Sequence, residues 1–195
     1  KPLDIVIMEP NMSIHKTSLV PLLIANRFFL ENPNRLGNVY VVAKPSNEKW
    51  LDSVKHLEII KMGKVVSFGR MISLEIFKSL RDNGSKYVLI SSNIRNGLNF
   101  LHLECMLLGI PIIHNCRPFA KNGLYFDECD ADINLKAALN YLNRIWEEPF
   151  EYSKSSIDQI FHTYHYTNEN IFGSYKKLLE KLLNSEKSNI NNLIP

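Results

Sequence analysis

Short apolar runs alternate along this chain with longer stretches of helical periodicity. The runs at residues 4–8, 38–43, 64–68, 87–91 and 111–114 are rich in β-branched or aromatic side chains, and each ends in polar or turn-forming residues. That is the pattern of strands buried on both faces. A short sixth strand is expected at 124–126. Between them, residues 17–31 read as a helix with Leu19, Leu22, Leu23, Asn26 and Leu30 along one stripe. Pro21 falls in its first turn, where a missing N–H costs nothing. Shorter helices are expected at 48–57 and 73–82, the second with Ser73 as its N-cap. An apolar helix over 98–108 is stopped by Gly109 and Pro111. Asp132 reads as the cap of a helix over 133–146, and after Pro149 the pattern turns wholly helical, over 154–163 and 168–183.

This order predicts an α/β fold, a Rossmann-like parallel sheet of five to six strands with helices on both faces. One domain is expected over residues 1–184, followed by a flexible, polar, Asn-rich tail at 185–195. The chain has neither the G-x-G-x-x-G fingerprint of dinucleotide-binding proteins nor the Walker lysine motif. Ligands of such sheets nevertheless sit beyond the carboxyl ends of the strands, so the loop after each strand is where chemistry is to be sought.

Composition narrows the classes. Hydrophobic content of 45% and charged content of 22% are ordinary for a globular domain of 195 residues. A net charge of +3 suits an anionic small ligand, but the basic residues are scattered, which does not indicate nucleic-acid binding. No apolar run approaches the ~20 residues that span a bilayer. The opening residues run straight into a strand without a signal-peptide core. Cys105, Cys116 and Cys129 are too widely spaced for a zinc site and do not make a disulfide framework. Packed thiols in a reducing cytoplasm are the expectation.

Four loops carry candidate chemistry. After the first strand, Glu9-Pro10-Asn11 leads to Lys16, Thr17 and Ser18 at a helix start. Helix-terminal N–H groups and the Lys16 charge suit a phosphate, and Asn11 lies in the same loop; equally, Thr17 or Ser18 can simply cap the helix. After the third strand, Gly69-Arg70 offers a guanidinium that can fork onto a phosphate or form a surface ion pair. After the fourth come Ser91, Ser92, Asn93, Asn96, Gly97, Leu98 and Asn99, small hydrogen-bonding groups around a glycine, readable as a ligand loop or as an Asn-Gly turn. Glu104 follows on the same helix. Its neighbours Leu101, Leu103, Met106, Leu107 and Leu108 leave little polar surface, so its carboxylate is expected to point into the crevice and find a partner there. After the fifth strand, His114 can touch a phosphate or sugar, or serve the fold alone. Asp130-Ala131-Asp132 spells the Asp-x-Asp of metal-dependent sugar transferases but sits just before a helix, where capping explains it better.

Residues 96–113 followed by Asn122-Gly123-Leu124-Tyr125-Phe126 resemble the carboxyl-terminal, nucleotide-sugar-binding half of GT-B glycosyltransferases. Glu104 matches the second glutamate of that group's paired motif, Gly97 its loop glycine, and Gly109 and Pro111 its Gly-x-Pro turn. One departure stands out: Asn96 takes the place of the first glutamate, so an amide replaces a carboxylate beside the donor sugar. A closer resemblance is to a largely uncharacterised family of glycosyltransferase-like proteins. It rests on Glu9-Pro10-Asn11, Lys16-Thr17, Gly69-Arg70, Asn96-Gly97-Leu98-Asn99-Phe100-Leu101 and His114-Asn115, in that order.

The resemblance implies a domain that binds a nucleotide diphosphate sugar for transfer to an acceptor glycan or glycoconjugate, without a metal or other cofactor. In it Glu104 would accept the ribose hydroxyls, and Lys16 and Arg70 would neutralise the diphosphate. Asn96, Gly97, Leu98 and Asn99 would contact diphosphate and sugar, while Ser92 and Asn93 would border the base. An amino-terminal acceptor domain outside this chain is the implied partner, and no catalytic residue is assigned. A nucleotide-sugar epimerase of the same architecture and a non-catalytic nucleotide-binding module are the alternatives.

Overall fold

The computed structural model describes residues 1–9, 17–42, 52–69, 73–93, 99–127, 131–164, 168–169, 173, 176–177 and 180. Packing divides the chain into two compact units, Lys1–Tyr152 and Ser153–Pro195. The first holds six strands: β1 (Leu3–Ile7), β2 (Leu36–Val42), β3 (Val65–Phe68), β4 (Lys86–Ser91), β5 (Ile112–His114) and β6 (Leu124–Tyr125). All pair in parallel, in the order β3-β2-β1-β4-β5-β6. The six strands that the apolar runs predict are all present, within a few residues at each end.

The helices α1 (Leu19–Glu31), α2 (Glu58–Lys61), α3 (Ser73–Asp82), α4 (Phe100–Leu107) and α5 (Ala131–Glu147) accompany them. Leu3, Ile5 and Ile7 of β1, Val88 and Ile90 of β4 and Ile113 of β5 form one core with α1, Ile59 of α2 and α5. The alternate residues of these strands face the other way. There Phe77 of α3 stacks on Tyr87, and Cys105 and Met106 of α4 are buried. The expected Rossmann-like sheet, covered on both faces, is what the chain forms.

Helix ends explain the strand starts. Gly109 takes φ 71°, and Ile110 and Gly109 donate to the carbonyls of Cys105 and Met106, the 6→1 and 5→2 bonds of a Schellman turn. The same pair of bonds closes α3 before β4 and α2 before β3. Each turn reverses the chain at the amino edge of the sheet.

Several expectations shift. Helix α1 begins at Leu19, and Thr17 stands outside it, its Oγ1 accepting from the Leu19 N–H at 3.2 Å. Its buried residues are Pro21, Leu22, Ile24, Ala25 and Phe28, whereas Leu19, Leu23 and Leu30 are exposed. A helix apolar nearly all round gives periodicity no face to choose. The expected helix at 48–57 lies partly outside the described residues; residues 52–54 within it are helical, and a separate short helix, α2, follows at Glu58–Lys61. Asp132 is not a cap: α5 already begins at Ala131, so Asp132 sits in the first turn, where its charge suits the helix dipole.

The second unit contains α6 (Lys154–Tyr164). Most of the expected helix 168–183, and all of the expected tail, lie outside the described residues. No helix among the described residues is long and apolar enough to cross a membrane.

Gly123 is the tightest point of the β5–β6 connection. It holds φ 71°, and a Cβ there would lie 2.7 Å from the Ile112 carbonyl oxygen. Since backbone cannot swing aside as a side chain can, Gly123→Ala is expected to lower unfolding free energy by roughly 2–4 kcal/mol. Urea denaturation of the two proteins measures this; a change below about 0.5 kcal/mol, the range of a neutral surface substitution, would contradict the geometry.

Candidate functional site

In this strand order β1 and β4 are neighbours whose connections leave toward opposite sides, β1 to β2 and β4 to β5. A crevice opens at the carboxyl ends of such a strand pair, and it is the usual ligand position of doubly wound sheets. In this chain a buried polar cluster occupies those ends. Glu9 lies two residues beyond β1, Ser91 closes β4, Asn93 follows it, and His102 comes from α4. All four are buried, with exposures of 3% or less.

Ser91 Oγ is the hub. It donates to Glu9 Oε1 at 2.5 Å, lies 2.8 Å from Asn93 Nδ2 and 2.8 Å from His102 Nε2. A hydroxyl has one proton and two lone pairs. With its proton on Glu9, Ser91 accepts from both nitrogens, so His102 carries its proton on Nε2. Asn99 Nδ2, 3.3 Å from the same His102 nitrogen, then faces another donor and is no hydrogen-bond partner for it. Asn93 also donates to Glu9 Oε1 at 3.0 Å, and its backbone N–H donates to Asn115 Oδ1 at 2.8 Å. The segments after β1, β4 and β5 are thereby tied into one network. Two buried atoms in it, Asn93 Oδ1 and His102 Nδ1, have no hydrogen-bond partner among the described residues.

The expected site residues distribute unevenly around this cluster. Ser92 and Asn93 are buried at the end of β4. Asn99 is the N-cap of α4, its Oδ1 accepting from the Leu101 N–H at 3.0 Å, so its side chain is spent on the helix. His114 donates from Nε2 to the Asn122 carbonyl at 2.7 Å and accepts the Cys116 N–H on Nδ1 at 3.1 Å. Both ring nitrogens therefore hold the β5–β6 connection, and no polar atom of that imidazole is left for a phosphate or sugar. Asn11, Lys16, Arg70, Asn96, Gly97 and Leu98 lie outside the described residues.

Glu104 corrects its own expectation. The face of α4 turned to the sheet is His102, Cys105 and Met106, which leaves Glu104 exposed beside the exposed Leu107 and Leu108. Its leucine neighbours do not enclose it, because an i, i+3, i+4 stripe through His102 takes the buried positions. The carboxylate still has a partner: Ser73 Oγ, at the start of α3, donates to Glu104 Oε2 at 2.7 Å. Ser73 stands three residues beyond Arg70 in the chain, so Glu104 is joined to the segment that follows β3.

Sequence reading names Ser91 only among the polar groups of the loop after β4, names Glu9 and Asn115 only within motifs and without a role, and passes over His102. The available signal was positional: a glutamate directly after an apolar strand, and a histidine where the buried helix stripe called for a hydrophobe.

The model of a family described as "Protein of unknown function (DUF2827)" matches residues 1–179. A comparison with curated proteins returned no match. Among solved structures, the chain is similar to the lipopolysaccharide outer core galactosyltransferase WaaB in its apo form. The TM-score is 0.63 at 16% identity, over 93% of this chain and 50% of that one. It is similar to the pneumococcal O-GlcNAc transferase GtfA, whose structure holds UDP and GlcNAc, at TM-score 0.63 and 15% identity over 94% and 36%. The S. aureus protein TarM gives 0.63 and 16% over 89% and 34%. The chain thus spans half or less of the length of these structures, and what it shares with them is the fold.

The two buried imidazoles impose a pH dependence. Their ring centroids are 5.3 Å apart. Burial, with His114 close by, holds His102 down at about 3, and burial lowers His114 as well. The unfolded chain takes up these protons more readily than the folded chain below about pH 6.5, so stability falls as pH drops and is unaffected by these groups above neutrality. Unfolding free energies from urea titrations between about pH 7 and pH 5 should decline by up to about 1.4 kcal/mol per pH unit for His102, with His114 adding in the same direction. His102→Gln should make that decline shallower; identical slopes for the two proteins would contradict the assignment.

Proposed function

Since this chain belongs to the DUF2827 family and is glycosyltransferase-like in fold, we propose that it binds the nucleotide diphosphate of a sugar donor at the carboxyl ends of β1 and β4, for transfer of the sugar to an acceptor. The observation that carries the reading is Glu104: an exposed carboxylate on the helix after β4, oriented by Ser73 through a 2.7 Å bond, with its other oxygen unoccupied by the described residues. An ionised carboxylate accepts up to about four hydrogen bonds, so one serine leaves room for the two hydroxyls of a ribose.

The remaining roles follow from charge and position. Lys16 and Arg70, after β1 and β3, supply the cations for a diphosphate and stabilise it as it leaves, which lets the transfer proceed without a metal. Asn11, Thr17, Asn96, Gly97 and Leu98, which follow β1 and β4 in the chain, would contact diphosphate and sugar, and Ser92 and Asn93 would border the base. Asn99 contributes by fixing the start of α4, and His114 by shaping the wall beneath it. The acceptor, a glycan or glycoconjugate, would be held by an amino-terminal domain outside this chain, with the reaction in the cytoplasm.

Calorimetric titration with UDP and with GDP tests the reading. One nucleotide is expected to bind, and Glu104→Ala to weaken it by roughly tenfold to a hundredfold, the worth of one or two charge-assisted hydrogen bonds. No heat with either nucleotide at millimolar concentration would refute it. So would an epimerised sugar nucleotide formed from donor with no acceptor present, which would mark an epimerase instead.

A further inference from the structure

Resting on that donor-binding reading, we infer that Glu9 is a positioning residue: through Asn93 it decides which hydrogen-bonding atom the end of β4 presents to the nucleotide. Glu9 Oε1 takes the Ser91 hydroxyl at 2.5 Å and one Asn93 amide proton at 3.0 Å. The same amide nitrogen donates to Ser91 Oγ at 2.8 Å. Asn93 is pinned by its nitrogen end on two acceptors, and its Oδ1 must point the other way. Turning the amide over would set Oδ1 against the Glu9 oxygen and against a Ser91 oxygen whose only proton is already given to Glu9. The carboxylate, not the asparagine, therefore fixes the orientation.

The consequence is chemical. Asn93 is 3% exposed, and its Oδ1 is buried without a partner among the described residues. A buried acceptor left unpaired is costly and is expected to be met by a donor. At the crossing of β1 and β4 that donor is an N–H or O–H of the nucleotide. Uracil and guanine both carry a ring N–H beside a carbonyl, and ribose carries hydroxyls. Glu9 touches none of these; it acts by denying Asn93 the alternative orientation. Nothing about Glu9 in the sequence suggests this role, because its effect passes through a residue more than eighty positions away.

A double-mutant cycle on the whole chain tests it, with UDP and GDP as titrants and circular dichroism to confirm folding of each variant. Glu9→Gln, which keeps an oxygen for Ser91 and Asn93, is expected to bind within about threefold of the parent, and Glu9→Ala about tenfold more weakly. Asn93→Ala should cost a similar factor, and the double variant no more than about twofold beyond either single, since the two residues act in series. If Glu9→Ala does not fold, Glu9→Asp, which withdraws the carboxylate by one methylene, takes its place with the same expectation. Parent-like binding by the Glu9 variant, or a double variant whose loss is the product of the singles, would overturn the role of Glu9 while leaving donor binding intact. A parent protein that binds neither nucleotide would overturn both, so the two failures are distinguishable.

Discussion

Where β1 and β4 lie side by side, their chains must part toward opposite faces of the sheet, and the ends of both strands are left with polar groups in a region closed to water. The Ser91 hydroxyl reconciles these demands. It gives its proton to a carboxylate from one side of the crevice and takes protons from an amide and an imidazole on the other. Every hydrogen-bonding site of that oxygen is used. Removing it would take the acceptor from His102 Nε2 and one bond each from Glu9 and Asn93, all three fully or almost fully buried, so one side chain links the ends of β1 and β4 to α4.

The surrounding fold is arranged to keep that crossing rigid. Beneath it, β1 and β4 are in register from Leu3 and Lys86 up to Val6 and Leu89, with apolar cores on both faces. His102, on the buried face of α4, and His114, at the end of β5, are neutral rings packed with Phe119 and Tyr125 as an aromatic group. Imidazoles in such a place act as hydrogen-bonding hydrophobes at neutral pH, the state to which burial drives them. They hold the ends of β4 and β5, and their nitrogens are occupied within the fold or, for His102 Nδ1, buried.

Much of the architecture was legible because its signals are local. A run such as Tyr87-Val88-Leu89-Ile90 closed by two serines can scarcely be other than a buried strand, and Gly109 before Pro111 marks a helix end and a strand start. What local signals could not supply was rotation about a helix axis. In α1 and α4 leucines occur on every side, so the stripe through Leu19, Leu22, Leu23, Asn26 and Leu30 mixes the buried Leu22 with the exposed Leu19, Leu23 and Leu30, and Glu104 shares its exposed face with Leu107 and Leu108 rather than being enclosed by leucines. The candidate site is less legible. Ser92 and Asn93 are nameable because they follow a strand, but the partnership of Glu9 with Ser91 joins residues 82 apart, and no spacing rule connects them.

A buried polar cluster is seldom the most stabilising way to fill such a space; well-packed apolar side chains of equal volume often do as well or better. What the bonds of such a network do supply is a single arrangement, since Ser91 and the Asn93 amide nitrogen each have one orientation that meets their partners. That property matters most where a flexible ligand must meet fixed atoms. The division of labour at the carboxyl edge fits this view. Glu9, Ser91 and His102 are sealed in, while Glu104, the carboxylate proposed to meet the ribose, is exposed and held by the Ser73 hydroxyl. A site built the other way round, with the reachable carboxylate buried and the scaffold polar groups exposed, would be slow to fill and imprecise once filled.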